Sequence, residues 1–244
     1  MNKVAKVTVL FWVVKILATT VGETGGDALS MTLGLGYAAS SLIFLAAFVV
    51  LLGIQVAATR FHPFAYWAVV VATTTVGTTM SDYLDRTLEL GYVKSSVILF
   101  CAVLAILAGW HRTLGRVQFE NITTRKDEVF YWVTILVTNT LGTALGDFVA
   151  STMGLGFERG ALVFASLLAL VAILFSMRTI PPALSFWAAY VLTRPLGATL
   201  GDMLTKSPME GGLGQGRIET SLIIGALMVV AISFTFSKRR KFEN

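Results

Sequence analysis

The chain has 244 residues, of which 55% are hydrophobic and 14% are charged, and its mean hydropathy is +0.76. These values exclude an ordinary soluble domain and predict an all-α integral membrane protein. The sequence contains no glycine-rich phosphate loop, no paired histidines and no nucleophile motif, so neither an enzyme nor a cofactor is expected. The formal net charge of +5 comes mostly from the connections between apolar stretches, which argues against nucleic-acid binding.

Eight apolar stretches of roughly 20 residues are each long enough to cross a hydrocarbon core of about 30 Å. They lie near residues 7–29, 38–57, 66–83, 94–110, 129–149, 160–177, 184–204 and 219–237. We predict eight transmembrane helices arranged as four helical hairpins. The charged connection 111–128 divides the chain into an N-terminal half, residues 1–120 with repeats 1 and 2, and a C-terminal half, residues 121–244 with repeats 3 and 4.

Each hairpin begins with the same pattern: a tryptophan, a glycine ten residues later, and a small residue followed directly by an aspartate. The four copies are Trp12–Asp27, Trp67–Asp82, Trp132–Asp147 and Trp187–Asp202. The small residues predict close helix packing, and they are Gly22, Gly26, Gly77, Ser81, Gly142, Gly146, Gly197 and Gly201. Because a hairpin returns the chain to the side it came from, all copies enter the membrane in one direction. The predicted pseudo-symmetry axis therefore runs along the membrane normal.

Basic residues predict the orientation of the chain. With the N-terminus in the cytoplasm, twelve Lys and Arg residues fall on the cytoplasmic side and five on the outer side. This bias predicts that both termini are cytoplasmic and that helix 1 is a retained span rather than a removed signal peptide. The motif aspartates then lie in the outer third of the bilayer, about 22 Å beyond each tryptophan. The lipid bilayer is the expected partner, and a homo-oligomer is compatible with the sequence.

Four intramembrane aspartates, Asp27, Asp82, Asp147 and Asp202, are the first candidate site. An acid at membrane depth costs a few kcal/mol and normally faces a bundle interior or water. One interpretation makes these residues caps where each helix breaks, and the other makes them part of an ion pathway. Threonines at helical spacing would extend the pathway, since hydroxyl and carboxylate oxygens bind hard cations. These threonines are Thr20, Thr24, Thr75, Thr79, Thr140 and Thr199.

Departures from the repeat mark further candidates. Glu23 stands one turn before Asp27, and two acids on one face are expected of a proton-coupled cation site, with Glu23 and Asp27 as metal ligands. Lys15 and Arg194 lie inside predicted spans and are expected to act as gates or counter-ions. Counting the groups placed inside the membrane gives five acids against two bases, which predicts an acidic interior if all of them are ionised.

The four Trp…Gly-xxx-small-Asp copies resemble a bacterial family of integral membrane proteins defined by a hairpin repeat of unknown function. The resemblance covers nearly the whole chain, and it implies a fold of repeated hairpins in the inner membrane. A second, local likeness is to manganese/calcium exporters with a Glu-x-Gly-Asp motif. Here Glu23-Thr24-Gly25-Gly26-Asp27 has one additional residue and no basic residue after the aspartate.

Cation transport is the predicted function, as export or proton-coupled movement of a divalent metal ion resembling Mn²⁺ or Mg²⁺. A passive cation channel with a ring of four aspartates is one alternative. An anion or organic-solute carrier would instead use Lys15 and Arg194, and a membrane scaffold would transport nothing. Any metal ion would be the substrate, and continuous polar lining would favour transport, whereas a dry, sealed bundle would favour the scaffold.

Overall fold

A computed structural model describes residues 4–120, 122 and 124–243, with side chains to residue 235. In that part of the chain eight long helices form: α1 Val9–Asp27, α2 Gly36–Ala57, α3 Pro63–Asp82, α4 Gly91–Leu114, α5 Arg125–Asp147, α6 Gly156–Ser176, α7 Pro182–Thr205 and α8 Arg217–Glu243. The basic residue Lys3 and the side chains of Lys238, Arg239, Arg240 and Lys241, which contribute to the predicted orientation, lie outside the described residues.

Helix starts follow local sequence signals. Thr8 accepts a hydrogen bond from the Phe11 backbone at 3.2 Å, and Thr124 does the same for Asp127 at 3.1 Å. Proline occupies the first turn of α3 and of α7, where its missing N–H has no helical partner in any case. The odd-numbered helices therefore begin close to the predicted positions.

The odd-numbered helices form a closed ring. Helix α1 packs against α3 and α7, and α5 packs against the same two helices. Each even helix lies against the odd helix of the following repeat: α2 on α3, α4 on α5, α6 on α7, and α8 on α1. In the most apolar window of each even helix only 17–22% of residues are buried, compared with 56% in α1 and 72% in α5. The even helices therefore form the outer wall.

Six of the described helical segments are long and apolar enough to cross a membrane. They are Val9–Thr32, Gly36–Ala57, Gly91–Leu114, Arg125–Thr152, Gly156–Ser176 and Arg217–Thr235. Helix α3 is less apolar because it carries five threonines, and α7 because it carries Arg194 and Asp202. Both belong to the inner ring, where protein rather than lipid covers most of their surface. The chain is a multi-pass, all-α membrane protein.

Twenty buried residues fill the axis of the ring in five layers, spaced four residues apart along each odd helix. Such spacing keeps side chains on one helix face. From the tryptophan end to the aspartate end the layers are Phe11, Tyr66, Tyr131, Phe186; Lys15, Val70, Ile135, Tyr190; Thr19, Thr74, Asn139, Arg194; Glu23, Thr78, Thr143, Ala198; and Asp27, Asp82, Asp147, Asp202. We call these the axial layers, and their two ends the Trp end and the Asp end.

Glycines allow the ring helices to approach closely. The glycine ten residues after each tryptophan faces the third-layer residue of the next odd helix, in the pairs Gly22–Thr74, Gly77–Asn139, Gly142–Arg194 and Gly197–Thr19. A Cβ atom on Gly77 would lie 2.9 Å from the Asn139 carbonyl carbon. The second small residue is similarly close, since a Cβ atom on Gly26, Gly146 or Gly201 would lie 3.0, 3.3 or 3.0 Å from a carbon of the neighbouring helix. At the fourth such position Ser81 instead donates to Asp85.

The segment after the motif aspartate differs between repeats. In repeats 1 to 3 a π-helical turn follows at once: Ala28–Thr32, Tyr83–Thr87 and Phe148–Thr152. In repeat 4, helix α7 continues to Thr205, and a loop with a short 3₁₀ turn at Pro208–Glu210 leads to α8. Three hydrogen bonds of 2.8–2.9 Å from the backbone of residues 213–215 hold this loop against the end of α7.

Candidate functional site

At the Trp end, aromatic rings close the axis. Tyr66 and Tyr131 share a hydrogen bond of 2.7 Å between their hydroxyl groups. Phe11 packs against Trp67 and Phe186 with centroid distances of 5.3 and 6.2 Å. The four aromatic side chains of the first axial layer therefore pack together and close the Trp end of the ring in this structure.

Lys15 lies in the second layer with its side chain fully buried. Its ammonium group donates to Asn139 Oδ1 across the ring at 3.3 Å and lies 4.2 Å above the Tyr190 ring. Asn139 in turn donates to Thr73 at 2.9 Å. Lys15 therefore points to the axis of the ring and not to the membrane surface. Its role as a counter-ion or gate stays a prediction.

Arg194 joins all four repeats in the middle layers. Its Nη2 atom donates to Glu23 Oε2 at 2.9 Å, and to Thr78 Oγ1 and Thr143 Oγ1 at 2.6 Å each. Both charged partners are almost wholly buried. Its Nε and Nη1 atoms have no hydrogen-bond partner among the described residues. The guanidinium therefore balances Glu23 and blocks the axis.

At the Asp end, the four aspartates divide into two ion-paired groups. In the first, which we call the Lys206 cluster, the Lys206 ammonium lies 2.9 Å from Asp27 Oδ2 and 3.2 Å from Asp202 Oδ1. The Arg217 Nε atom approaches the same Asp27 oxygen at 3.5 Å. This cluster links repeat 4 to repeat 1.

The second group, the Arg86 cluster, links repeat 2 to repeat 3. Arg86 Nε lies 3.0 Å from Asp82 Oδ1, and its Nη2 atom lies 3.6 Å from Asp147 Oδ2. The same guanidinium donates to the Tyr37 hydroxyl at 3.1 Å. In both clusters the bridging cation stands four residues after its own aspartate and reaches the aspartate of the next repeat.

The predicted acidic interior is wrong. Three bases assigned to the outer surface turn inward, so five acids meet five bases along the axis. The bases are Lys15, Arg194, Arg86, Lys206 and Arg217, and the acids are Glu23, Asp27, Asp82, Asp147 and Asp202. Sequence reasoning missed the three outer bases, although spacing of four residues from Asp82 to Arg86 and from Asp202 to Lys206 was a usable signal.

The predicted threonine stripe lies one residue away from the axial face. The hydroxyl groups of these threonines donate to carbonyls of their own helices, at distances between 2.8 and 3.5 Å. They are Thr20, Thr24, Thr75, Thr79, Thr140 and Thr199. Thr78 and Thr143, which do face the axis, were not predicted. A role of the six threonines in ion binding stays a prediction.

A group of three carboxylates could hold a cation. Glu23, Asp27 and Asp202 each offer one oxygen, and these oxygens all lie within 4.8 Å of one another. All three residues are buried, and Asp27 Oδ1 has no hydrogen-bond partner among the described residues. Carboxylate oxygens are the ligands that Mg²⁺, Mn²⁺ and Ca²⁺ prefer. In this structure Arg194, Lys206 and Arg217 neutralise the group.

An open cleft of about 570 Å³ lies at the Asp end, and Arg217, which approaches Asp27, is one of its lining residues. Its lining includes Thr32, Thr205, Ser207, Glu210 and Arg217. Hydrogen bonds from the Ser207 hydroxyl and backbone lower the pKa of the largely exposed Glu210 carboxyl group. The cleft therefore carries charged groups of both signs close to the end of α7.

A ring of repeated membrane helices with charged residues along its axis defines a multi-pass membrane protein with internal repeats. The family model described as Repeat of Unknown Function (DUF347) matches residues 10–61, 65–115, 130–180 and 185–241, and the chain belongs to this family. No curated protein and no solved structure matches the chain. The predicted four-copy repeat family is confirmed, whereas the likeness to Glu-x-Gly-Asp exporters gains no support.

Proposed function

We propose that the protein is a membrane transporter of a cation, which binds at the cluster of Glu23, Asp27 and Asp202. The observation that carries this proposal is the convergence of three buried carboxylates from two neighbouring repeats within 4.8 Å. Buried acids are expensive in a bilayer and mark ion pathways more often than they mark simple packing. A divalent metal ion such as Mn²⁺ or Mg²⁺ fits the oxygen ligands, moved by export or by proton-coupled transport.

The proposed topology has eight spans in four parallel hairpins, with the pseudo-symmetry axis along the membrane normal. It is supported by the repeated contacts of the ring and by the layers, in which equivalent residues of four helices meet at one level. Helices α3 and α7 count as spans because their neighbours shield them from lipid. The basic residues favour cytoplasmic termini in a bacterial inner membrane, with the Asp end outside.

A carrier is favoured over a passive channel. The four aspartates are paired with cations in two separate clusters rather than forming an open ring. Arg194 and the aromatic first layer occupy the axis on the way to the Trp end. Movement of an ion therefore requires rearrangement of these contacts, as in alternating access.

Flux in proteoliposomes tests the proposal. The purified full chain is expected to move Mn²⁺, Mg²⁺ or Ca²⁺, and Asp27→Asn should lower that flux about tenfold or more because one charged ligand is lost. Glu158→Gln is the matched control, since Glu158 is an exposed acid at the start of α6. Absence of flux for all three ions in a folded protein, or equal flux for wild type and Asp27→Asn, would refute the proposal.

A non-transporting scaffold is the second candidate. It is supported by the closed axis, in which Arg194 contacts all four repeats through Glu23, Thr78 and Thr143. In that case the charges serve only to hold the ring together. Proteoliposomes containing the folded protein would then be as tight to metal ions as protein-free vesicles.

A further inference from the structure

We infer that Lys206 is a tethered cation that competes with the transported ion for the carboxylates of Asp27 and Asp202. This inference rests on the proposed function and deepens it, because it states what occupies the site when the substrate has left. Lys206 or a free cation binds there, but not both together.

Geometry is the first support. The Lys206 ammonium lies between oxygens of two carboxylates on different helices, at 2.9 and 3.2 Å. Two carboxylates facing one point from two elements form a position for a cation, and here a cation of this chain occupies it. The remaining Asp27 oxygen is buried without a hydrogen-bond partner among the described residues, so the cluster has ligand capacity that Lys206 does not use.

In the Arg86 cluster the bridging cation has partners other than carboxylates. Arg86 is held by two carboxylates and by the Tyr37 hydroxyl, and its guanidinium lies 5.8 Å from the centre of the Tyr37 ring. A planar guanidinium is held by such multiple contacts, whereas a lysine is a point charge on a flexible stem. Among the residues that the structure describes, the hydrogen bonds and ion pairs of the Lys206 ammonium run to carboxylates alone.

The chain around Lys206 gives the ammonium a route out of the site. Lys206 is the residue that ends α7, and its backbone N–H bonds to the Asp202 carbonyl at 2.8 Å while its own carbonyl accepts from Gly214 at 2.8 Å. Its Cα position is therefore fixed. Thr205 and Ser207, on either side of Lys206, line the cleft of about 570 Å³, and so do Glu210 and Glu219. We expect the ammonium to withdraw toward these two carboxylates when an ion binds.

Electrostatics supplies the reason for such a device. Two bare carboxylates in a membrane interior are energetically unfavourable, so a site that releases its ion needs a replacement charge. A tethered ammonium supplies that charge without a second dissolved ligand. In repeat 4 a loop with a short 3₁₀ turn follows Lys206, whereas in repeats 1 to 3 a π-helical turn follows the aspartate directly.

The inference is tested by measuring Mn²⁺ binding to the detergent-solubilised full chain. The decrease in the paramagnetic resonance signal of free Mn²⁺ reports how much of the ion is bound. Lys206→Met is expected to bind Mn²⁺ about tenfold or more tightly than wild type, because a unit charge next to two carboxylates is removed. Lys206→Arg keeps the charge and should bind no better than wild type.

Two further variants separate competition from a general charge effect. Arg217→Met removes a cation 3.5 Å from Asp27, and Lys94→Met removes an exposed cation in α4. Competition predicts a much larger gain for Lys206→Met than for either. Equal gains in all three, or no gain for Lys206→Met, would overturn the inference.

Failure of the inference differs from failure of the transport proposal. If wild type moves Mn²⁺ into vesicles but Lys206→Met binds it no more tightly, only the tethered competitor is refuted. If Lys206→Met binds Mn²⁺ tightly and no variant moves it, the competition stands and transport is refuted.

Discussion

The Lys206 and Arg86 clusters are built on one plan and differ in the bridging cation and in its other partners. Each places a base four residues after a motif aspartate, and each base reaches the aspartate of the next repeat. Arg86 also donates to the Tyr37 hydroxyl, whereas the carboxylates that bind Lys206 lie next to the additional acid Glu23. Repetition therefore builds the frame, while substitutions within the repeat make its two junctions different. The proposed ion exchange belongs to the junction that carries Lys206.

The largest expected effect on stability comes from the Arg194–Glu23 ion pair, which has no equivalent in the other half of the chain. In the other half of the chain, the position of Arg194 is taken by Thr74 and that of Glu23 by Thr143. Arg194→Met leaves Glu23 as an unpaired buried charge, so the unfolding free energy should fall by about 3–5 kcal/mol. Reversible unfolding in mixed micelles measures the change.

The double variant Arg194→Met with Glu23→Gln serves as its control. Because neither charge remains, it should recover much of the lost stability. A double variant as unstable as Arg194→Met alone would contradict the assignment of that cost to the unpaired carboxylate.

A smaller effect on stability is expected from the glycine contacts between neighbouring odd-numbered helices, which recur around the ring. Gly77→Ala places a Cβ atom 2.9 and 3.0 Å from backbone atoms of Asn139 and Thr140, so the unfolding free energy should fall by about 1–3 kcal/mol. Gly53→Ala in α2 is the matched control, because a Cβ atom there meets nothing within 4 Å. Equal stability of the two variants in the same unfolding assay would show that close approach of α3 and α5 is not required.

The smallest effect concerns the turn after Arg86. Glu89 has a positive φ of 55°, and the equivalent positions in repeats 1 and 3 are Gly34 and Gly154, with φ of 70° and 68°. Since a side chain in this conformation costs about 1 kcal/mol relative to glycine, Glu89→Gly should raise the unfolding free energy by about that amount. A decrease would mean that the Glu89 side chain makes a stabilising contact, and thermal unfolding in detergent decides between the two.

Sequence alone predicted the helices, their repetition and the depth order of Trp, Gly and Asp, because these follow from periodicity. It placed the axial face wrongly, since polar residues occur in adjacent columns such as Thr19-Thr20 and Thr74-Thr75. Periodicity cannot choose between neighbours that are about 100° apart on a helix. The choice is made by contact of Gly22 and Gly197 with Thr74 and Thr19 on neighbouring helices.

Sequence analysis predicted the acids of the candidate site and named Arg194 and Lys15 as counter-ions, but it missed Arg86, Lys206 and Arg217. Glu23 and the four aspartates stand out because acids are rare in apolar stretches, but their partners come from elsewhere in the chain. Arg194 meets Glu23 across 171 residues, and Lys206 meets Asp27 across 179. Such pairs depend on closure of the ring, which local spacing does not reveal.

The closed ring of repeats also suggests how the chain evolved from a shorter one. Because α8 packs on α1 as α2 packs on α3, the array has no first and no last unit, and it needs none of the special end units that open repeat arrays require. A shorter ancestor with two repeats would have had two uncovered faces, and each would have fitted the other face of a second copy. Gene fusion of such a pair would then have freed the copies to diverge, so that one junction came to carry lysine and the other arginine.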